Sequence, residues 1–359
     1  MARQNAVITG WGFYAPSRVM TNFDLEKIVD TSDQWITERT GIKERHIAAE
    51  GETTSTMAAR AARVALERAR LRPADVDLII VGTCSPDYLF PATACLVQTA
   101  IGAERAGSFD VEAACTSFVS ALAIANGMIV SGAIRNALVI GAETLSRFLD
   151  WTDRGTCVLF GDGAGAVVVE GSSASVGIES TVLHSDGSKG DLLWVQGGGV
   201  KHPASKDSLA KGLHFLKMDG SATFKLAVKS MADAAEEALA AAGLKLDDIA
   251  LLIPHQANIR IIEAVGKRLR FPAEKVFVNV QRYGNTSAAS IPIALCEAEA
   301  AGRLRRGDKV LLVAFGGGFT WGAAVLEWWG SHLEHGQRSI LDRAARALED
   351  VVDRVRPVG

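Results

Sequence analysis

Short, continuous apolar runs alternate along the chain with alanine-rich stretches. The runs LIIV at 78–81, ALVI at 137–140 and AVVV at 166–169 contain no polar position, and a stretch with helical spacing follows the first of them from about residue 92. Strands that are covered by helices on both faces have this uninterrupted apolar pattern. The sequence therefore predicts βα units around a mostly parallel sheet, which is the α/β fold class.

Two pairs of similar segments indicate an internal duplication. Residues 65–80 and 238–253 each read as a helix, a turn and a buried strand, and residues 165–170 (GAVVVE) resemble residues 322–327 (GAAVLE). Both pairs occur in the same order, although the offset falls from 173 to 157 residues, so the first half carries about 16 extra residues. Chance similarity between Ala/Leu/Asp-rich stretches is the alternative, and two pairs in one order weigh against it.

The duplication divides the chain into four parts. We predict similar halves at 1–172 and 220–329, with a Gly/Ser/His-rich linker and surface excursion at 173–219. Residues 330–359 form a C-terminal extension, in which 337–356 place apolar residues on one helical stripe. This amphipathic helix either docks on its own chain or on a dimer partner, or it is a separate partner-binding module.

Composition and charge restrict the class of protein. The 359 residues are 48% hydrophobic and 22% charged, which is typical of soluble globular proteins, and the net charge of -3 does not favour nucleic-acid binding. We find no signal-peptide pattern and no membrane-spanning run, so the sequence predicts a cytoplasmic protein that does not interact with membranes. The five cysteines lack metal-ligand spacing, which predicts reduced thiols and no bound metal.

Cys115 is the candidate nucleophile. The segment SFDVEAAC at 108–115 reads as a short strand and a small-residue turn, after which a helix begins. A thiol at a helix N-terminus faces unpaired backbone N–H groups, which lower its pKa and favour the thiolate. The alternative is that Cys115, like the other four cysteines, is a small core residue.

Three further candidates follow predicted strands of the second half. His255 lies directly after the apolar run 250–253, where α/β sheets place their sites. Asn285 opens a helix, so it is either a site residue or simply an N-cap. The triple glycine 316–318 allows close backbone approach and inward-facing N–H groups, as an oxyanion hole requires, whereas a phosphate loop is disfavoured because no lysine follows the glycines.

Several longer motifs resemble those of the β-ketoacyl-acyl-carrier-protein synthase III family. The motifs are TSDQWITERTGIKERH (31–46), DRGT (153–156), FGDGAG (160–165), PHQAN (254–258), GNTSAAS (284–290) and FGGGFTWG (315–322). The likeness runs from about residue 5 to 327. It implies the duplicated thiolase fold, in which two similar βα halves stack as a five-layered αβαβα arrangement, and a homodimer.

The resemblance also implies a reaction. Cys115 would accept a short acyl group from an acyl-CoA, typically acetyl-CoA, and the backbone N–H groups of Cys115 and Gly317 would hold the tetrahedral intermediate. CoA leaves, and malonyl-acyl-carrier protein enters. His255 and Asn285 would then stabilise the enolate that forms on loss of CO2, and this enolate attacks the acyl group. No cofactor is implied, since acyl-CoA and malonyl-acyl-carrier protein are substrates.

The resemblance assigns binding roles to further residues. Trp35, Arg39 and Arg154 would bind the adenine end of CoA, and Asn258 would support the pantetheine channel or a site water. Phe90 would cross the dimer interface and limit the acyl pocket. The residues expected to receive acyl carrier protein are Lys225, Arg260, Lys267 and Arg268. The alternative for these four is ordinary solvated surface charge.

The sequence departs from the family pattern in two places. Thr116 and Ser117 stand where the family usually has a small residue and then glycine, and the C-terminal extension is unusual. Relatives with this fold also prime polyketides or transfer acyl groups to other acceptors, so a role in a secondary pathway is an open alternative. More distant alternatives are a papain-like cysteine hydrolase, whose local cysteine signature is missing, and a non-catalytic scaffold, which has no need for Cys115, His255 and Asn285.

Overall fold

The computed structural model describes residues 5–330, so the predicted C-terminal helix lies outside the described part of the chain. The strands, in chain order, are β1 (Asn5–Tyr14), β2 (Val19–Thr21), β3 (Glu44–His46), β4 (Leu78–Gly82), β5 (Gly107–Val111), β6 (Asn136–Glu143), β7 (Gly163–Ser172), β8 (Ile178–Ser185), β9 (Leu193–Val195), β10 (Leu216–Met218), β11 (Ile249–Pro254), β12 (Lys309–Gly316) and β13 (Thr320–Glu327).

The α-helices lie between these strands. They are α1 (Asn22–Leu25), α2 (Asp33–Thr40), α3 (Thr54–Ala69), α4 (Thr93–Ile101), α5 (Ser117–Val130), α6 (Lys206–Ala210), α7 (Gly220–Ala242), α8 (Ile259–Leu269), α9 (Val280–Tyr283) and α10 (Ser290–Ala300). Short 3₁₀ turns at Ala114–Thr116 and Ser287–Ala289 directly precede α5 and α10. Within the described range, no helix is both long and apolar enough to cross a membrane.

Two sheets repeat the same strand order. The first sheet has the order β1-β7-β6-β4-β5 and the second the order β8-β13-β12-β11. In each sheet the first two pairings are antiparallel and the next is parallel. Beside β11, where β5 stands in the first sheet, Val276 forms an isolated parallel bridge with Leu252. The duplication predicted from the repeated segments is therefore a structural duplication.

One part of the predicted linker is a strand of the second half. We placed 173–219 between the halves, but β8 pairs along most of its length with β13 in the second sheet. Its residues alternate between buried and exposed positions because an edge strand packs on one face only. Strand β8 is therefore not a continuous apolar run, and the pattern of such runs does not predict it.

The layers stack as helix, sheet, helix, sheet, helix. Alternate residues of both sheets pack against α5 and α10, which form the central layer. The opposite face of the first sheet packs on α3 and α4, and that of the second sheet packs on α7 and α8. Close packing depends on small residues: a Cβ on Gly10 of β1 would lie 2.1 Å from the carbonyl oxygen of Ala65 in α3. This is the αβαβα arrangement of the thiolase fold.

Candidate active site

Cys115 lies in the 3₁₀ turn at the start of α5, at the boundary between the two halves. The turn is tied to the second half by two hydrogen bonds. The hydroxyl of Thr320 donates to the carbonyl oxygen of Ala113 (2.8 Å), and the hydroxyl of Thr116 donates to the backbone carbonyl oxygen of Thr320 (3.2 Å). A Cβ on Gly316 would lie 2.6 Å from the backbone nitrogen of Cys115. The glycine at 316 therefore allows β12 to approach the nucleophile turn closely.

Burial controls the ionisation of Cys115. The residue is 6% exposed, and removal from water raises the pKa of its thiol to about 12, although a hydrogen-bonding interaction with Ser287 opposes the shift. The carboxylates of Glu143 and Glu112 raise the pKa further. We expected the helix N-terminus to lower this pKa, and that expectation was wrong, because burial raises it. The thiol is protonated near neutral pH, so acylation requires a proton acceptor.

His255 stands at the end of β11, as its sequence context predicts. Its backbone N–H donates to the carbonyl oxygen of Val313 in β12 (2.8 Å), and its imidazole Nδ1 lies 2.6 Å from the hydroxyl oxygen of Ser290. The side chain is buried, and burial lowers the pKa of the imidazole to about 3. The ring is therefore neutral at physiological pH and is suited to donating a hydrogen bond rather than carrying charge.

Asn285 is anchored to the first half through its backbone. Its N–H donates to the carbonyl oxygen of Leu159 (2.8 Å), and its own carbonyl oxygen accepts from Gly161 (3.1 Å). The side-chain Oδ1 accepts the backbone N–H of Ser287 (2.8 Å), the first residue of the 3₁₀ turn before α10, which fixes the amide. The N-cap of that turn is Thr286, and Asn285 lines a cavity.

One cavity of about 120 Å³ brings the three candidates together. Cys115, His255, Asn285 and Asn258 all line it, together with Phe315 and other apolar side chains. Asn258 is also the N-cap of α8, since its side chain accepts the N–H of Arg260 (2.8 Å). The site combines a thiol from the first half with an imidazole and an amide from the second.

A second, larger cavity of about 350 Å³ is also lined by Cys115. It is lined by Gly317, Cys84, Ser287 and apolar residues that include Leu145, Phe160 and Leu216. Thr116 and Ser117 do not line either cavity at Cys115. The departure from the family pattern at these two positions therefore affects the contact between the halves, where Thr116 bonds to Thr320.

The predicted CoA-binding residues form a cluster at the surface. The guanidinium carbons of Arg39 and Arg154 lie 4.5 Å and 5.2 Å from the ring centroid of Trp35. The guanidinium group of Arg154 also donates a hydrogen bond to the backbone carbonyl oxygen of Asp30 (3.0 Å). An aromatic ring flanked by two guanidinium groups suits a ligand that combines a purine with phosphates.

The predicted carrier-protein residues are exposed on α7 and α8, and they differ in how far they are neutralised. Arg268 contacts Asp233 (3.3 Å), whereas Arg260 lies over the ring of Phe224. Phe224 lines the cavity of His255, so the basic surface adjoins the cavity entrance. Phe90 lies apart from this group in the loop after β4 and is 85% exposed.

Sequence reasoning missed two buried groups beside Cys115. Glu143 ends the fully buried strand β6, and Ser287 lies within a motif that we quoted without giving this residue a role. The available signal was a carboxylate at the end of a strand that is otherwise uncharged. Within residues 5–330, we find no cluster of His, Cys, Asp or Glu side chains suited to a metal.

The duplicated fold and the buried Cys, His and Asn define a condensing enzyme of the thiolase fold. Two family models match: that of 3-oxoacyl-[acyl-carrier-protein] synthase III over residues 109–187, and that of its C-terminal region over residues 239–328. The β-ketoacyl-[acyl-carrier-protein] synthase III of Roseiflexus sp. is 55% identical over 90% of this chain and 98% of its own length. The chain belongs to the β-ketoacyl-[acyl-carrier-protein] synthase III family and is an acyltransferase of the condensing type.

Solved structures agree with this assignment. The crystal structure of 3-oxoacyl-[acyl-carrier-protein] synthase III from Aquifex aeolicus has a TM-score of 0.83 and 52% identity, and it covers 90% of this chain and 100% of its own. The priming β-ketosynthase of the R1128 polyketide pathway has a TM-score of 0.85 at 36% identity, with 91% and 97% of the two chains covered. The synthase III and the polyketide-priming enzyme share this fold, and the sequence identity of this chain is higher to the synthase III.

Proposed function

We propose that this protein initiates fatty acid synthesis by condensing a short acyl-CoA, acetyl-CoA first among them, with malonyl-acyl-carrier protein. The observation that carries the proposal is the shared cavity of Cys115, His255 and Asn285. Cys115 attacks the thioester carbonyl, CoA leaves, and an acyl-cysteine remains. The backbone N–H groups of Cys115 and Gly317 are the donors proposed for the tetrahedral oxyanion.

The second step needs two hydrogen-bond donors at the malonyl thioester. His255 is neutral, and Asn285 carries an amide, so both can donate to the thioester oxygen without adding charge to the site. Loss of CO2 leaves an enolate whose negative oxygen is held by these donors. The enolate carbon then attacks the acyl-cysteine and releases the 3-ketoacyl product. Decarboxylation drives the step, and no cofactor takes part in the scheme.

We propose the substrate contacts that the family resemblance implies, and the clustering of the residues supports them. Trp35, Arg39 and Arg154 form the surface for the adenine and phosphates of CoA, with Asn258 at the cavity wall. Lys225, Arg260, Lys267 and Arg268 receive the acidic carrier protein at the adjoining entrance. Such basic residues increase the association rate more than they increase the affinity.

The proposed assembly is a cytoplasmic homodimer. Phe90 and its neighbour Leu89 are 85% and 81% exposed, and apolar side chains that protrude in this way are typical of a partner interface. In the dimer, Phe90 reaches the partner's acyl pocket and limits it to short chains. Light scattering of the purified protein tests the dimer, and Phe90→Ala tests whether longer acyl-CoA starters are then accepted.

The decisive experiment is intact-protein mass spectrometry. The protein is incubated with a panel of acyl-CoAs and is then chased with malonyl-acyl-carrier protein. We expect one acyl adduct on Cys115 that the chase converts to a 3-ketoacyl product, no adduct on Cys115→Ala, and a normal adduct on the control Cys296→Ala, which removes another buried thiol. An adduct that the chase does not discharge would instead indicate transfer to another acceptor.

The polyketide role is the second candidate. Its support is the R1128 priming ketosynthase, which shares the fold at 36% identity. The panel separates the two candidates, because a priming enzyme of a secondary pathway would prefer a starter other than acetyl-CoA.

A further inference from the structure

Glu143 is a buried carboxyl group that the scheme above does not use. It ends β6, is 0% exposed and accepts hydrogen bonds from the hydroxyls of Ser287 (2.9 Å), Ser85 and Thr83 (3.2 Å). The backbone N–H of Cys84 is a further donor (3.3 Å). All of these groups donate to the carboxyl group, and these donors favour its charged form, while burial raises its pKa.

Ser287 connects this carboxylate to the nucleophile. Its hydroxyl donates to Glu143 and also interacts with the thiol of Cys115. The 3₁₀ turns that carry Ser287 and Cys115 pack against each other, and both residues line the larger cavity. The three side chains therefore form a chain of thiol, hydroxyl and carboxylate at the centre of the molecule.

Both position and basicity favour Glu143 as the proton acceptor. The Cys115 thiol is protonated at neutral pH and must lose its proton as it attacks. The imidazole Nδ1 of His255 faces Ser290, and burial lowers the pKa of this imidazole to about 3, which makes it a weak base. Glu143 is joined to Cys115 through Ser287, and burial raises the pKa of its carboxyl group, which strengthens the carboxylate as a base. A base whose pKa is nearer to the working pH is the better catalyst of proton transfer.

We infer that Glu143 takes the proton of Cys115 through the hydroxyl of Ser287 when the acyl-cysteine forms. The thiol proton passes to the Ser287 oxygen while the Ser287 proton passes to Glu143, and the sulfur forms its bond to the thioester carbon. When the C–S bond to CoA breaks, the Ser287 hydroxyl gives its proton to the departing CoA sulfur and regains a proton from Glu143, so that CoA leaves as a thiol. The inference rests on the proposed role of Cys115. Glu143 acts through Ser287 and does not touch the substrate.

Other titratable groups face the same region. The Cys84 thiol contacts Glu143 at 3.3 Å, and burial raises its pKa well above the ordinary value, so it stays protonated. Glu112 lines the larger cavity and raises the pKa of both thiols. Neither group takes part in the proposed proton transfer.

The test measures the rate at which acetyl-CoA acylates Cys115, by rapid quench and mass spectrometry between pH 5.5 and about pH 9, a range chosen to span the carboxyl and thiol titrations. We expect Glu143→Gln to lower the rate at neutral pH by roughly 100-fold, which is the contribution of general base catalysis. Its residual rate should rise tenfold per pH unit, whereas the wild-type rate should level off once the carboxyl is ionised. Ser287→Ala should show the same loss, and the double variant should lose no more.

Two controls separate a proton relay from a structural role. Glu52→Gln replaces another buried glutamate, which contacts Tyr14 and Arg60 away from the cavity, and should acylate normally. Adding Glu143→Gln to Cys115→Ala should leave malonyl decarboxylation unchanged. A wild-type rate and pH profile in Glu143→Gln would overturn the inference, and so would loss of decarboxylation in the double variant. An unacylated wild-type protein would instead refute the proposed role of Cys115.

If Glu143→Gln does not fold, the relay can still be tested in the wild-type protein. Two protons move together in the relay, so the acylation rate should depend quadratically on the deuterium fraction of the solvent. A linear dependence would contradict the relay.

Discussion

The imidazole Nδ1 of His255 lies 2.6 Å from the hydroxyl oxygen of Ser290, the first residue of α10. The same oxygen accepts the backbone N–H of Gln256 (3.3 Å), which leaves the hydroxyl hydrogen of Ser290 free to point at Nδ1. With that hydrogen directed at Nδ1, Nδ1 is the acceptor and Nε2 carries the proton. We therefore expect Ser290 to favour the tautomer in which His255 can take its proposed role as a donor to the malonyl thioester.

We predict that Ser290→Ala slows malonyl decarboxylation while Cys115 is still acylated. Loss of a hydrogen bond in a buried site costs about 1–3 kcal/mol, which corresponds to roughly 5-fold to 150-fold in rate. The measurement is release of CO2 from malonyl-acyl-carrier protein. Ser180→Ala is the matched control, because its hydroxyl bonds a helix carbonyl (2.7 Å) on the outer side of the second sheet. Equal effects of the two substitutions would contradict a role in tautomer selection.

The low pKa of His255 makes the protein less stable in acid. The folded-state value of about 3 lies below the ordinary 6.5, so between these values the unfolded chain binds a proton that the folded chain does not. Stability therefore falls as the pH drops from about 6.5 towards 3, by up to about 1.4 kcal/mol per pH unit from this residue. Urea unfolding at pH 7, 6 and 5 should show a shallower loss for His255→Gln than for wild type. Parallel pH dependences would mean that His255 is protonated in the folded protein.

Trp35 provides a separate test of the CoA site. Trp35→Ala removes the ring against which Arg39 and Arg154 stack. We expect KM for acyl-CoA to rise about tenfold with kcat nearly unchanged, because the contact is remote from the reacting atoms. Steady-state kinetics at saturating malonyl-acyl-carrier protein measure both constants. A fall in kcat with unchanged KM would contradict the assignment.

The basic surface on α7 and α8 predicts a graded response to charge reversal. Arg260→Glu should raise KM for malonyl-acyl-carrier protein more than Arg268→Glu, since Asp233 already neutralises Arg268. The increase should shrink as the salt concentration rises, because exposed charges are screened. Arg72→Glu, an exposed arginine beside Asp75 in the other half, is the control and should leave KM unchanged. Indistinguishable effects of Arg260→Glu and Arg72→Glu would leave the surface without a role in carrier binding.

The sequence predicted more of the architecture than of the electrostatics. The apolar runs at 78–81, 137–140 and 166–169 lie in central strands, and the two repeated segments occupy equivalent places in the two sheets. Those features depend on local periodicity. The edge strand β8 was missed because only one of its faces is buried.

The ionisation of Cys115 depends on information that the sequence pattern does not contain. The position of Cys115 at the start of a helix could be predicted from the sequence. The surroundings of its thiol, however, include β12 and Ser287, which lie far along the chain. The relation between Glu143 and Ser287 joins residues 144 positions apart for the same reason. Proximity of this kind arises from the stacking of the halves rather than from either half.

The central layer of α5 and α10 also has a consequence for folding. Both α5 and α10 pack in one apolar core with strands of both sheets, so neither half alone has a complete hydrophobic core. A fragment that ends near residue 172 would leave the inner face of its sheet and one side of α5 in water. The two similar halves therefore form one cooperative unit, which should melt in a single transition rather than half by half.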